Sequence, residues 1–565
     1  MSTMHAALVR IETSGNQAYI FASNRLRQNV GASELVLRSC SQWVLETVEG
    51  ITHRRLWAPS VEERTKRLRD PALNPSLGVD GNRVEVVTAT SGSACLLTED
   101  FDLGHRIVEA VTRRALRDAP GLAVAGAVVE VGDRQGFQAA FQRAGAELSR
   151  VRSRLPAPES RFRQLPIVDR CHTTGLPAAG YEVPFGQEPP EPLSAVARAK
   201  LAASKLTSLR LQSEGWIKHR DRLARSLAEL EGGLEGAEER WLAVVHADGN
   251  GLGALLGRLG QAPLNGDRVK VVRRVSTGLE RVAVRAFDHA LRAAVQVWER
   301  GPGRAARREP LVVPLVVGGD DLTVVCDGAL AMAFTIAYLR GFEAESEKEL
   351  REQLAAVGER QLTASAGVAL VKPHYPFHAG YDLAEQLAES AKLVKHHAPG
   401  HSALDLHLHL DTTDADLDRI RRRRRSHGPD PVALWGGPYV LGPAEGDRAE
   451  DWATLHALGR LGRVVRALRR GEDGRPVVSS SLAHRLRAAL AEGRTAADAE
   501  LERARRVRPG WDLWPELLAA GDGRSLARPL PKPTDGAGAK DEPAYATALF
   551  DAMDLAGLWD GELGE

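Results

Sequence analysis

The sequence predicts an α+β protein made of two units that share one order of elements: strand, helix, strand, strand, helix, strand. Three observations predict it. The same succession of apolar patterns occurs in residues 4–131 and again in residues 241–371. Each copy holds two β-branched runs parted by a Gly-bearing turn, Ser91-Gly92-Ser93 in the first and Gly318-Gly319-Asp320-Asp321 in the second. The segments between and after the copies are polar, helical in period and interrupted by Pro-rich stretches.

Taken in order, residues 4–12 read as a strand and Ser14-Gly15-Asn16 as a turn. From Ala18 to Glu49, apolar residues at Ile20, Leu26, Leu35, Val36, Trp43, Val44 and Val48 follow a helical period. Arg83 to Ala89 and Ala94 to Thr98 form a hairpin, Phe101 to Arg117 an amphipathic helix, and Leu122 to Val131 the closing strand. Residues 136–240 read as a helical, Pro-rich linker domain, with charged helices from Ala195 to Glu239. The second unit begins with a strand from Trp241 to His246 and a long helix from Asp267 to Arg300. The strands Leu311 to Val317 and Leu322 to Cys326 follow, then a helix from Ala329 to Glu349 and a strand from Gln361 to Val371. A helix from Asp382 to His396 and a strand from Ala403 to Leu410 extend it. The expected fold is two ferredoxin-like units, 1–135 and 241–412, with the linker domain between them and a C-terminal helical domain over 413–565. Ser525 to Pro543 reads as a low-order stretch, and Tyr545 to Trp559 as a docking helix.

At 565 residues the chain exceeds a single core, and 43% hydrophobic residues suffice to bury several. Lys and Arg (75) balance Asp and Glu (74), so global charge gives no sign of nucleic-acid binding. Cys40, Cys95, Cys171 and Cys326 are widely separated, which excludes a CxxC knuckle and argues against a disulfide framework. No apolar run reaches membrane-spanning length, and the N-terminus lacks an apolar signal core. A soluble, cytoplasmic protein with no membrane partner is expected.

The chemistry concentrates in the second unit. A hairpin turn explains the two glycines, because tight turns favour positive φ, but it does not explain two adjacent carboxylates beside apolar strands. Such acids repel one another and face desolvation unless a cation is present, and Mg²⁺ takes oxygen ligands of this kind. The first strand of the unit runs into His246-Ala247-Asp248-Gly249-Asn250-Gly251-Leu252-Gly253. In a ferredoxin-like sheet this strand lies beside the hairpin, so Asp248 is expected to join Asp320 and Asp321 in a two-metal phosphoryl-transfer site. The glycines after Asp248 free backbone N–H groups for a triphosphate. The rival reading of the turn alone is a plain hairpin, since Gly and Asp are common turn residues.

These residues resemble the palm of GGDEF-type nucleotide cyclases and, more closely, the large polymerase/cyclase subunit of type III CRISPR effector complexes. The resemblance rests on Asp248 with Gly249 to Gly253, on Gly318 to Asp321, and on Ser365-Ala366-Gly367-Val368 followed by Lys372-Pro373-His374-Tyr375-Pro376. Ala391-Lys392 extends it, as do Tyr19 to Arg27, Gly31 to Leu35 and Trp435-Gly436-Gly437-Pro438-Tyr439. It implies a catalytic second palm, a non-catalytic first palm, and synthesis of 3′–5′ linked cyclic oligoadenylates from ATP. Asp248, Asp320 and Asp321 become the catalytic metal ligands for two Mg²⁺ or Mn²⁺ ions. Gly249, Asn250, Gly251, Gly253, Gly318, Gly319, Ser365 and Lys392 become nucleotide-binding, with Lys392 on the triphosphate. The implied partners are ATP, the guide RNA-containing complex and target RNA, or a second copy if the enzyme stands alone.

Three departures from the family pattern matter. The chain has no His-Asp dipeptide, so the family's HD nuclease domain is expected to be absent and DNA cleavage is not expected. The segment Cys171-His172-Thr173-Thr174-Gly175 has one cysteine where the family often pairs them, so no zinc is expected. Asn250 stands where a second acid is often found. Two other readings compete with the synthase: a silent nucleotide- or RNA-complex-binding scaffold, and a standalone signalling cyclase. Elsewhere, Arg421 to Arg425 fits an RNA contact or a solvated helix end equally well. Ser479 reads as a helix cap, and the histidines His396, His397, His401, His407 and His409 read as solvated.

Overall fold

In the computed structural model, the residues described are 6–131, 136–162, 164–183, 189–224, 229–230, 240–261, 267–301, 309–410, 415–427, 431–442, 452–469, 478–507, 525–530, 543 and 545–563. The end of the charged helices expected before Trp241 and most of the stretch expected to be low in order, 531–542, lie outside them.

The first unit contains β1 (Ala7–Ser14), β2 (Val84–Thr90), β3 (Ser93–Thr98), the helix Phe101–Asp118 and β4 (Ala123–Glu130). Its sheet has the order β2-β3-β1-β4, antiparallel throughout. The single helix expected from Ala18 to Glu49 is three helices: Asn16–Phe21, Leu26–Cys40 and Gln42–Thr52. All three bury apolar residues in one core, so the apolar pattern passes through the breaks unmarked. At the first break, Ser23 Oγ accepts the Arg25 N–H and Asn29 Nδ2 donates to the Ser23 carbonyl, so side-chain bonds replace helical ones.

Between the units, β5 (Ala178–Glu182) and β6 (Glu191–Ser194) form a small sheet, followed by the helix Ala195–Ser213. The second unit then runs β7 (Leu242–Gly249), the helices Leu252–Gln261 and Arg268–Glu299, β8 (Val312–Gly318), β9 (Asp321–Asp327), the helix Gly328–Glu349 and β10 (Ala364–Val371). After the helix Phe377–Ala391 comes β11 (Ala403–Leu408), and later the short β12 (Val432–Ala433) and β13 (Tyr439–Val440). The six-stranded order is β13-β11-β10-β7-β9-β8. Its stretch β10-β7-β9-β8 repeats the order β4-β1-β3-β2 of the first unit. Beyond it, β12 pairs with Tyr545–Ala546, which also pairs with Arg528–Pro529, so the C-terminal region is not wholly helical.

Period-two alternation assigns the two faces of this second sheet. Ala243, Val245, Ala247, Leu322, Val324, Ala366 and Val368 pack with the helices Arg268–Glu299 and Gly328–Glu349. Those helices approach closely at Gly341, where a Cβ would lie 3.1 Å from the Ala286 backbone. Val244, Val313, Leu315, Val325 and Ala369 face the other way, into one core shared by the helix Phe377–Ala391 and the first unit. Buried ion pairs tie the units together, among them Arg273–Glu85 at 2.6 Å and Arg64–Glu280 at 3.0 Å.

Candidate active site

The site forms where β7 ends beside the β8–β9 hairpin. Ala247 pairs with Leu322, so the next residue, Asp248, emerges at the hairpin tip. Gly318 pairs with Asp321, leaving Gly319 and Asp320 as a two-residue turn. Gly319 takes φ +67°, and a glycine at the first turn position is what a type II′ hairpin favours. Gly249 is required for contact: a Cβ there would stand 2.9 Å from that of Asp320, whose carbonyl accepts the Gly249 N–H at 3.2 Å. Asp248, Asp320 and Asp321 consequently bring one carboxylate oxygen each within 4.8 Å of one another. Among the described residues they are the cluster able to hold a metal ion.

Lys392 supplies the balancing charge that is present. Its Nζ donates to Asp248 Oδ2 at 2.8 Å and to Glu389 Oε2 at 2.9 Å. The reason it reaches Asp248 lies in the sheet. At Gly367 a Cβ would lie 1.9 Å from the Ala384 carbonyl, so only glycine lets the helix Phe377–Ala391 lie directly on β10. Lys392 follows that helix on a 3₁₀ turn. Burial works to lower its ammonium, but the bonds to Asp248 and Glu389 prevail and hold it above its ordinary value.

One cation does not balance three acids. Burial first, and then the charge of Asp248, raises Asp320 above the usual carboxylate range. Asp321 is held well above it by burial, Asp320 and Asp248. Because Asp321 keeps exposed surface at the tip, the crowding of like charges is the cause its position supports best. A carboxylate set that resists full ionisation, opens to solvent and offers only oxygen ligands fits Mg²⁺ or Mn²⁺.

The other expected residues divide by location. Ser365 stands opposite Asp248 on β10, and its hydroxyl donates to Asn250 Oδ1 at 2.9 Å. Asn250 Nδ2 in turn donates to Thr363 Oγ1 at 3.0 Å, so this pair fastens the loop after β7 to β10. Gly251 takes φ +69°, while Gly253 has open space where a side chain would be. His246 packs edge-on to Tyr381, with centroids 5.5 Å apart, and its Nδ1 lies 3.0 Å from Thr323 Oγ1. Burial pushes its imidazole down to about 4, so the ring is neutral near pH 7.

Several side chains escaped the sequence reading. Tyr381 stacks on Phe21 of the first unit with centroids 3.6 Å apart, and Gln17 Nε2 donates to Glu385 Oε1 at 2.6 Å. These contacts bring the two units together over a cavity of about 680 Å³ lined by Phe21, Asn24, Tyr381 and Glu385. An aromatic pair on opposite units leaves no periodic trace in sequence. The arginine run turns inward in part: Arg421 pairs with Asp405 at 2.5 Å and Arg424 with Asp554 at 2.7 Å. His407 and His409 are buried, which corrects their reading as solvated, because β11 is covered on both faces. Ser479 caps its helix as expected, accepting the Leu482 N–H at 3.4 Å. Among the described residues, no helix is long and apolar enough to cross a membrane.

Comparison with known proteins gives one family match. Residues 241–398 fit the Cas10/Cmr2 second palm domain. No curated protein matches the chain. Among solved structures, it resembles a Csm1-Csm4 cassette in complex with one ATP, at 13% identity and TM-score 0.40, over 71% of this chain and 55% of that one. It also resembles the cassette in complex with pppApApA, at 13% identity and TM-score 0.46, over 98% and 69%. Csm1 of T.onnurineus aligns at 14% identity and TM-score 0.39, over 86% and 65%. The chain thus spans between 55% and 69% of these relatives' lengths. The carboxylates, the glycine turn and Lys392 all fall inside the matched segment, so residues 241–398, a little over a quarter of the chain, are similar to the Cas10/Cmr2 second palm domain.

Proposed function

We propose that the chain is a nucleotidyltransferase that joins ATP into cyclic oligoadenylate-type messengers, within a type III CRISPR-like antiviral defence. The observation that carries this reading is the convergence of Asp248, Asp320 and Asp321 within 4.8 Å at the end of an otherwise apolar sheet. The family match over the same residues supports it. ATP as substrate, and a guide RNA-containing complex with target RNA as the activating partners, follow from the family resemblance. The repeated strand order supports reading both units as ferredoxin-like palms, 1–135 non-catalytic and 241–412 catalytic. Residues 136–240 then form the linker domain and 413–565 the C-terminal domain.

Asp248 and Asp321 would hold the divalent cations, with Asp320 completing the set. Bound Mg²⁺ or Mn²⁺ supplies Lewis acidity at the attacking hydroxyl and the departing pyrophosphate. A 3′-oxygen attacks the α-phosphorus and forms the new P–O bond. The α–β bridging P–O bond breaks, its electron pair leaves with pyrophosphate, and the hydroxyl proton passes to solvent. Lys392, held on Asp248 here, would turn its ammonium toward the triphosphate once the carboxylates were otherwise neutralised. Gly251 and Gly253 leave backbone N–H groups open to phosphate, Gly249 lets the strand end lie against the hairpin turn, and Gly318 and Gly319 keep side chains out of its path. Asn250 and Ser365 hold that loop in place.

The test incubates the purified protein with Mg²⁺ or Mn²⁺ and each labelled NTP, beside an Asp320→Ala/Asp321→Ala variant, and resolves products by mass spectrometry. A cyclic oligonucleotide from the wild type alone is the expected result. Silence that persists after partner subunits and target RNA are added overturns the synthase and leaves a scaffold.

A further inference from the structure

We propose that the first unit carries a separate binding site, built on Lys200 and Tyr19, for a small organic monoanion with an apolar body. A cavity of about 430 Å³ lies between the helix Asn16–Phe21, the start of β4 and the start of the helix Ala195–Ser213. Tyr19, Lys200, Thr173, Thr174, Phe162 and Val196 line it. It adjoins the cavity between the units, sharing Ala18, Ala22 and Thr173 with it, but Lys200 and Tyr19 line this one alone.

Lys200 is the unexpected component, because lysine is rarely buried without a partner of opposite charge. Its side chain is 1% exposed. The ammonium donates to the Tyr19 carbonyl and stands 4.3 Å above the Tyr19 ring. A lysine has three N–H donors, and among the described residues no carboxylate pairs with this one. The Tyr19 ring is 8% exposed, and its buried hydroxyl has no hydrogen-bond partner among the described residues. A buried cation with donors to spare and a tyrosine with an unsatisfied phenol therefore line one cavity, beside Thr173 and Thr174, whose hydroxyls bond Cys171 and Ser194. Burial pushing the Lys200 ammonium down to about 8 agrees with the missing counter-charge. The position of Lys200 is fixed by packing: a Cβ on Gly31 would collide with the Lys200 carbonyl, so the helices Leu26–Cys40 and Ala195–Ser213 touch backbone to backbone there.

The chemistry selects the ligand. One fixed positive charge neutralises one negative charge. A dianion would bring an unbalanced charge into a largely apolar cavity, and a cation would meet Lys200 head-on. A carboxylate and a phosphodiester both satisfy this rule, with the phenol adding a hydrogen bond to the oxyanion. The site stands whether or not the carboxylate cluster of the second unit turns over.

Calorimetry on the full chain tests it with benzoate as the carboxylate and 3′,5′-cyclic AMP as the phosphodiester. Sulfate serves as the dianion control and benzylamine as the cation control. All titrations use an Asp320→Ala/Asp321→Ala background, which removes the other site's acids. We expect at least one monoanion to bind with Kd below about 1 mM, roughly tenfold weaker in Tyr19→Phe, and not at all in Lys200→Met. Benzoate alone assigns a carboxylate ligand, and cyclic AMP alone a phosphodiester. Tyr19→Phe removes only a hydroxyl and decides the matter should Lys200→Met not fold. Absence of binding by both monoanions, unchanged affinity in the variants, or equal binding of sulfate or benzylamine overturns the proposal.

Discussion

The two units place different chemistry on one scaffold. Ile11 pairs with Ala94 as Ala247 pairs with Leu322, and Thr90 pairs with Ser93 as Gly318 pairs with Asp321. Counting from these pairs, Glu12 holds the position of Asp248, while Gly92 and Ser93 hold those of Asp320 and Asp321. In the first unit the lone acid is neutralised twice, by Arg10 and by Arg152, the latter at 2.6 Å. In the second, three acids share Lys392. The strand order and the hairpin therefore form without crowded carboxylates, so their presence in the second unit is a cost that folding does not require. On the proposed reading, a divalent cation would relieve that cost.

The sharpest way to break this comparison is to exchange the fates of its two acids. Asp248→Asn is expected to lower product formation by about 10³-fold, while Glu12→Gln leaves the rate unchanged and costs roughly 1–3 kcal/mol of stability. Equal loss of activity in both variants, measured on folded protein, removes the distinction between the units. Lys392→Met comes next. Losing a charged hydrogen-bond partner of the triphosphate should raise the KM for NTP by about 10–100-fold, with kcat changed less, in steady-state kinetics.

A pH series sharpens the same contrast. Asp320 and Asp321 are raised above the carboxylate range, so the folded state binds more protons than the unfolded one. Their contribution is complete below the ordinary carboxylate pKa and is lost as pH rises through the raised values. Without divalent cation, Tm should fall by about 2–4 °C across that window, and millimolar Mg²⁺ should restore it. A flat profile that Asp320→Asn/Asp321→Asn does not alter sinks the crowding argument. The smallest effect belongs to the contact between units: Gln17→Ala removes an exposed bond to Glu385 and should leave stability within about 0.5 kcal/mol, by chemical denaturation.

Much of this was legible in the sequence because the signals are local. The β-branched runs, the Gly-Gly-Asp-Asp turn and Asp248 at a strand end each declare themselves within a few residues, and the repeated order sets the strands side by side. The remainder depends on contacts between distant residues. Glu12 looked like any charged strand residue until the pairing with β3 aligned it with Asp248. The helix expected from Asp382 starts at Phe377 and ends at Ala391, because Pro376 opens it and the chain tightens to a 3₁₀ turn at Lys392. Lys200 sat among the charged helices expected from Ala195 to Glu239, and only the backbone contact at Gly31 shows why its ammonium is enclosed.

The seat at Gly367 also makes the helix Phe377–Ala391 a lever. Its fulcrum is the backbone contact at Ala384 and Ala388, and Lys392 lies four to eight residues beyond, about 6–12 Å along the axis. A tilt of about ten degrees about that fulcrum swings the ammonium by roughly 1–2 Å, enough to part it from Asp248. Tyr381 sits on the opposite arm of the same lever, stacked on Phe21. The contact between the units and the ammonium on Asp248 thus lie on opposite sides of one backbone contact, joined by a single helix and the turn that follows it.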